Sequence, residues 1–296
     1  PLLSVDRSEI RWYQMPLEIT DQVEVIKSAS SALYGASALN GVINVRTAWA
    51  KSEPETNALI YYNGYAKPRT KERAWWADAP PTPMRYGGQF SHKQRFGRHD
   101  FVVGANYNKS VGFIRQGDSD YHRLSVKYRH RPQNVEGLSY GLSAYMMQSN
   151  EFDYIFWTDS DENQFIPFGS ELDNFRDEGT LTTSNRKVVT IDPFIKFYHG
   201  KNNHLLRGRV NRTRLRFSSA NLDSYLYIGE YQFQRSFNFG MNVSAGFQAQ
   251  RMKLIDKDLG DHTAYNLAPY LQVDQKIGAF SFNLGMRYEY FNLDSI

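Results

Sequence analysis

An all-β chain, most of it an antiparallel membrane-spanning barrel, is predicted by three observations. Apolar and polar residues alternate over runs of about ten or more residues, longer than the ~5–6 residues usual for strands. Aromatic content is 15%, with 20 Tyr and 19 Phe, while mean hydropathy is only −0.59, and no run approaches the ~18 apolar residues of a membrane helix. Connections between the runs alternate between short and long. A transmembrane barrel produces all three: one apolar face, one polar face, tight turns at one rim and longer loops at the other. The 296 residues contain no cysteine, which excludes disulfides and thiolate metal sites. A net charge of +4 is too small to point to a nucleic-acid partner.

The first elements lie in residues 23–47. Val23–Ile26 reads as a short strand, Ser28–Ser31 as a small-residue turn and Ala32–Tyr34 as one helical turn. Gly35 follows it, where a left-handed residue ends a helix without Cβ strain. Asn40-Gly41 is a tight-turn pair that launches a second strand, Val42–Arg46. Taken alone, this is a packed β-turn-α-turn-β unit.

In their order, Val23–Ile26, Ser31–Gly35, Ala36–Ala38 and Gly41–Asn44 resemble the C-terminal end of the plug domain of TonB-dependent outer-membrane receptors. That end consists of a VEVI-type strand, a SALYG turn, an alanine-rich step and a G-VIN strand. The resemblance makes Tyr34, Gly35, Asn40, Gly41 and Asn44 the residues of a structural and gating motif. It implies a plug remnant over 1–47, a linker over 48–57, and the N-terminal half of a barrel over 58–296. The complete barrel would have about twenty-two strands. It further implies active uptake of a scarce small-molecule ligand across the Gram-negative outer membrane, energised through TonB. The segment that contacts TonB lies outside these residues in that family. Ser28-Ala29 stands where many members have Gly-Pro, and Asn40-Gly41 where many have Gly-Gly. These departures suggest a Bacteroidetes-like branch. An iron chelate or siderophore is the ligand the family implies first. Asn40-Gly41 is also similar to the glycan-importing branch, and Val42–Val45 to the chelate branch. The start at Pro1-Leu2-Leu3 and the stop in a strand-like region read as a piece of a longer receptor.

About eleven barrel strands are expected, near residues 58–66, 85–95, 100–113, 119–130, 138–151, 186–199, 204–217, 224–237, 239–254, 263–275 and 278–292. In Met241–Arg251 the residues Met241, Val243, Ala245, Phe247 and Ala249 alternate with Asn242, Ser244, Gly246, Gln248 and Gln250. Period two sends the two sets to opposite faces. Met241, Phe247, Phe280, Phe282 and Tyr288 should therefore face lipid, and Asn242, Gln248, Asn283 and Arg287 the lumen. Pro193 and Pro269 fall inside strands on the outward parity, and bulges are expected there because proline removes a ladder hydrogen bond.

No HExxH, GxSxG or GxxxxGK motif occurs, and no enzyme is expected. No cofactor is implied. Trp75-Trp76 in one long loop, and Tyr154, Phe156 and Trp157 in another, are ligand-mouth candidates; interfacial anchoring and loop packing is the alternative. Asp159, Asp161 and Asn163 echo a calcium loop, but Gln164 stands at its glycine position; a solvated acidic loop is the simpler reading. Arg212, Arg214 and Arg216 continue the outward parity of Leu206 and Val210 toward the outer rim. There they could meet lipopolysaccharide phosphates, which arginine binds well; a solvated strand end is the alternative. The two other function classes that fit the alternation are a passive porin or adhesin barrel and a soluble β-rich binding protein.

Overall fold

Where apolar and polar residues alternate, the chain is strand. The computed structural model describes residues 12–26, 33, 35, 41–67, 69, 82–113, 117–153, 182–217, 221–257 and 260–294. Two single-turn 3-10 segments, Trp12–Gln14 and Leu17–Ile19, precede β1 (Thr20–Ile26) and β2 (Val42–Thr47), which pair antiparallel with Ile26 opposite Val42. One large sheet follows. Its strands are β3 (Glu55–Gly64), β4 (Met84–Phe96), β5 (His99–Val111), β6 (Ser119–His130), β7 (Leu138–Asp153), β8 (Thr182–His199), β9 (Asn202–Phe217), β10 (Asn221–Ser236), β11 (Met241–Asp256), β12 (Gly260–Ile277), β13 (Phe280–Arg287) and β14 (Tyr290–Leu293). From β3 to β13 each strand pairs antiparallel with the next.

β13 and β14 both pair with β12 and share one register, with Arg287 opposite Tyr270 and Tyr290 opposite Leu267. They are a single strand interrupted at Tyr288 and Glu289. The sheet thus has the eleven crossings expected, and every end lies within four residues of the position read from the sequence. With an odd number of crossings, the first and last strands run in the same direction. They cannot close on each other as an antiparallel pair. Among the described residues β3 pairs only with β4, and β13 only with β12.

The two faces invert the distribution of a water-soluble domain. The face toward the N-terminal segment buries Ser91, Asn106, Asn108, Ser125, Ser224 and Ser244. The opposite face exposes Leu142, Met146, Ile195, Leu206, Tyr231 and Leu271. Phe247, Phe280, Phe282 and Tyr288 are exposed as expected, and Met241 shares their parity. On the inner face Arg287 donates to Gln248 at 2.8 Å, and Asn283 donates to Asp274. Among the described residues no helix is long and apolar enough to cross a membrane.

The prolines make no bulge. Pro269 stays opposite Phe247 of β11, and the register to β13 and β14 is the same on either side of it. Its carbonyl accepts from the Tyr288 amide at 3.1 Å. Carbonyl and nitrogen of one strand residue point to the same neighbour, so the missing donor faces β13. That is where the ladder opens between β13 and β14. Pro193 stays opposite Leu142 of β7, while pairing to β9 lapses between Ile191–Val210 and Phe194–Arg207. Gly208 lies across the lapse. A Cβ there would stand 3.2 Å from Pro193 Cγ, so the glycine leaves room for the ring. Each proline costs ladder bonds on one side only, and the intact ladder on its other side holds the register.

Candidate functional site

The inner face of β4–β7 holds the N-terminal segment through charged side chains taken out of water. β6 supplies the cations. Its alternation, Arg123, Ser125, Lys127, Arg129, turns every second residue inward, and Arg131 follows just past its end. Arg123 grips Glu18 with a forked contact, Nε donating to Oε1 at 3.2 Å and Nη2 to Oε2 at 2.5 Å. Its Nη1 also donates to the Tyr13 carbonyl. The two side chains are 2% and 1% exposed. Around them Tyr13 stacks on Tyr121 at 5.5 Å, and Tyr145 Oη donates to the Gln14 carbonyl at 3.0 Å. Gly104 of β5 makes the fit possible, because a Cβ there would lie 2.5 Å from Ile19 Cγ2 and 2.9 Å from Glu18 Cγ.

One turn further along β6, Lys127 fixes the exit from β2. Its ammonium has three protons and meets three acceptors: Thr47 O at 3.0 Å, Thr47 Oγ1 at 2.7 Å and Ala48 O at 2.7 Å. The Trp49 ring lies 3.9 Å from Lys127 Nζ and 4.5 Å from Arg129 Cζ, a cation–π contact on each. Phe194 of β8 flanks the same indole at 5.6 Å. Toward the short-turn rim, Asp100 is fully buried and is held by Arg95 and Arg131, each at 2.8 Å, and by Arg129. Arg95 also donates to the Ala50 carbonyl at 2.8 Å. The chain from Thr47 to Ala50 is thus clamped to the wall before β3 begins.

Further along the same inner face, Arg207 of β9 reaches Glu230 of β10 at 2.8 Å, and Tyr270 of β12 donates to Glu230 at 2.9 Å. Arg209 pairs with Asp192 of β8 at 2.6 Å. These groups tie neighbouring strands together.

Of the motif residues read from the sequence, Gly35 has φ +93° and Gly41 φ +125°, both in the region that favours glycine. Among the described residues, a Cβ on Gly35 would meet Glu289 Oε1, at 3.5 Å. Asn44 donates to Glu24 at 2.8 Å, and Arg46 pairs with the same carboxylate at 3.2 Å, so both stabilise the β1–β2 pair. Tyr34, Asn40, Trp75, Trp76, Tyr154, Phe156, Trp157, Asp159, Asp161 and Asn163 lie outside the described residues. Among the described residues no three of His, Cys, Asp and Glu converge as metal ligands. Arg212, Arg214 and Arg216 all reach Asp223, at 3.3, 3.3 and 2.6 Å. Sequence reading missed Arg123, Lys127 and Glu18. The available signal was a run of cations on the inward parity of one mid-wall strand.

What the arrangement can do is hold a folded segment across the inner face and resist its release. Residues 1–42 match the family model of the TonB-dependent Receptor Plug Domain. The vitamin B12 transporter BtuB of Vibrio vulnificus (strain CMCP6) is 25% identical over 258 residues, 84% of this chain and 37% of that protein. The siderophore receptor PirA from Pseudomonas aeruginosa superposes with TM-score 0.73 at 13% identity, over 98% of this chain and 47% of that one. The unliganded ferric citrate transporter FecA gives 0.71 at 12% identity, over 94% and 44%. BauA, the ferric preacinetobactin receptor from Acinetobacter baumannii, gives 0.68 at 12%, over 93% and 47%. The structural likenesses show a shared fold. The chain spans less than half the length of each of these proteins.

Proposed function

We propose that this chain, which belongs to the TonB-dependent receptors of the Gram-negative outer membrane, serves the active import of a scarce ligand, an iron chelate first. In this reading residues 1–47 are the C-terminal part of the plug, 48–57 a linker and 58–296 the N-terminal half of the barrel. The observation that carries it is the desolvated Arg123–Glu18 contact between segment and wall. A buried charge pair that loses one partner is strongly destabilised, so a segment seated this way does not drift out of the bore. Opening therefore needs work, and the outer membrane has no ATP of its own. TonB, driven by the inner-membrane proton gradient, is the partner that would supply it. The siderophore and ferric-chelate names of the structural neighbours support an iron chelate, and the BtuB similarity supports a corrinoid as the second substrate class to test. Trp75, Trp76, Tyr154, Phe156 and Trp157 are the proposed ligand contacts at the mouth.

The test is accumulation of radiolabelled ferric siderophores and of cobalamin, at nanomolar concentration, by cells making the full-length receptor. Accumulation should vanish in cells lacking TonB and in cells treated with a protonophore. Undiminished accumulation would eliminate active import and favour a passive porin.

A further inference from the structure

The outer face of β8–β12 carries an apolar band with a basic belt directly above it. Outward residues are apolar or glycine from Val189 to Phe197 in β8, from Tyr225 to Phe233 in β10, from Met241 to Ala249 in β11, and from Tyr265 to Val273 in β12. Nine residues is about what a tilted strand needs to cross the hydrocarbon layer. The band ends abruptly at the long-loop rim. There the outward positions become Lys187, Arg212, Arg214, Arg216, Arg251 and Lys253. Register sets them side by side: Lys187 is opposite Arg214, Arg212 opposite Tyr225, and Tyr225 opposite Lys253. Among the described residues of β8–β12, Asp223 and Asp261 are the carboxylates on the outward parity at this rim, so cations outnumber them. Tyrosines at the upper edge of the band support them, Tyr225 lying 5.3 Å from Arg212 Cζ and Tyr265 lying 5.8 Å from Arg251 Cζ. The Arg212, Arg214 and Arg216 side chains remain 45%, 41% and 34% exposed while they engage Asp223. The same level of β5–β7 is different. It carries Lys109 opposite Asp120, and Asn150 bonded to Asp120.

We infer that this belt binds the phosphorylated glycolipid headgroup of the outer leaflet. A lipid-facing arginine is costly at mid-membrane and tolerated near the interface, so six cations at and beyond the upper edge of the apolar band stand at headgroup depth. Guanidinium forks match phosphate oxygens in pairs. A partner of opposite charge at that depth on the lipid side is a membrane anion, and the long-loop rim is the outer-leaflet rim. Asp223 holds the three arginines in one cluster without neutralising them.

The experiment uses the full-length receptor in detergent micelles, titrated with bisphosphorylated lipid A, dephosphorylated lipid A, phosphatidylglycerol and inorganic phosphate, with native mass spectrometry as readout. Bisphosphorylated lipid A should bind in preference to all three others. The R212Q/R214Q/R216Q variant should bind it roughly tenfold to a hundredfold more weakly. K109Q should bind as the wild type does. D223N should bind as tightly or more tightly, since it removes a competing anion; were the cluster only a strand tie, D223N would weaken binding with it. Retention of heat-resistant gel mobility identifies variants that fold. Equal affinity for phosphatidylglycerol, saturation by inorganic phosphate alone, or wild-type affinity in the folded triple variant would each overturn the inference.

Discussion

Arg123 and Arg207 are arginines on the inner face of the same sheet, and each holds a glutamate. Arg123 reaches Glu18, far off in sequence and outside the wall, and the pair is almost wholly desolvated. Arg207 reaches Glu230 on the adjacent strand and stays 54% exposed. The first contact joins a separate segment to the wall. The second joins the wall to itself. Burial sets the size of each. Removing one partner of a buried pair costs about 3–5 kcal/mol, whereas an exposed pair contributes about 0–1 kcal/mol. Under the proposed import reading, a wall that stays shut and later releases what it holds needs strong contacts on the held segment. Elsewhere it needs only cohesion.

The largest effect is expected at the strong end of this contrast. Arg123→Met leaves the Glu18 carboxyl buried without its partner, so seating of the segment should weaken by about 3–5 kcal/mol. The readout is influx of a bulky antibiotic that the intact receptor excludes. Arg123→Met combined with Glu18→Gln should restore most of the exclusion, because neither uncompensated charge remains. If the double variant leaks as much as the single, the pair is not what holds the segment, and the contrast with Arg207 fails.

Gly35→Val tests the segment itself, away from its contacts with β6. The backbone at Gly35 has φ +93°, and among the described residues a Cβ there would meet Glu289 Oε1 at an ordinary 3.5 Å. The penalty is therefore conformational, about 1–3 kcal/mol. Uptake and protease resistance of the segment should fall while heat-resistant mobility of the barrel is kept. Wild-type uptake together with unchanged protease resistance would show that this turn does not need the left-handed conformation.

How much of this was legible in sequence follows from the range of the interactions. Strict alternation in Met241–Arg251 and Phe280–Tyr290 told lipid face from lumen face, because a period of two is a local property. The strand count was legible for the same reason. The β1–β2 pair announced itself through Gly35 and Gly41, whose special φ is also local. Arg123 was visible as an inward cation in β6, but nothing near it in sequence names Glu18, because the contact spans a fold-level distance. The prolines misled for a related reason. A bulge was expected from the missing donor, yet register depends on both neighbouring strands. The intact ladders to β7 and β11 hold it.

The smallest effect belongs to Arg207→Ala. Glu230 is 5% exposed, yet it would keep the Tyr270 hydroxyl at 2.9 Å, so it would not be left alone. The arginine itself is more than half solvated, and screening leaves such a pair worth at most about 1 kcal/mol. Strand pairing continues on both sides, with Arg207 opposite Glu230 of β10 and Phe194 of β8. Antibiotic exclusion should therefore match wild type, and the gel-mobility transition should move by no more than a few degrees. Adding Tyr270→Phe removes the second donor to Glu230 and should produce a larger loss than the two single changes together. If Arg207→Ala by itself opened the bore as Arg123→Met does, burial would not be what separates the two arginines, and the strand-tying pairs would have to be counted among the contacts that hold the segment.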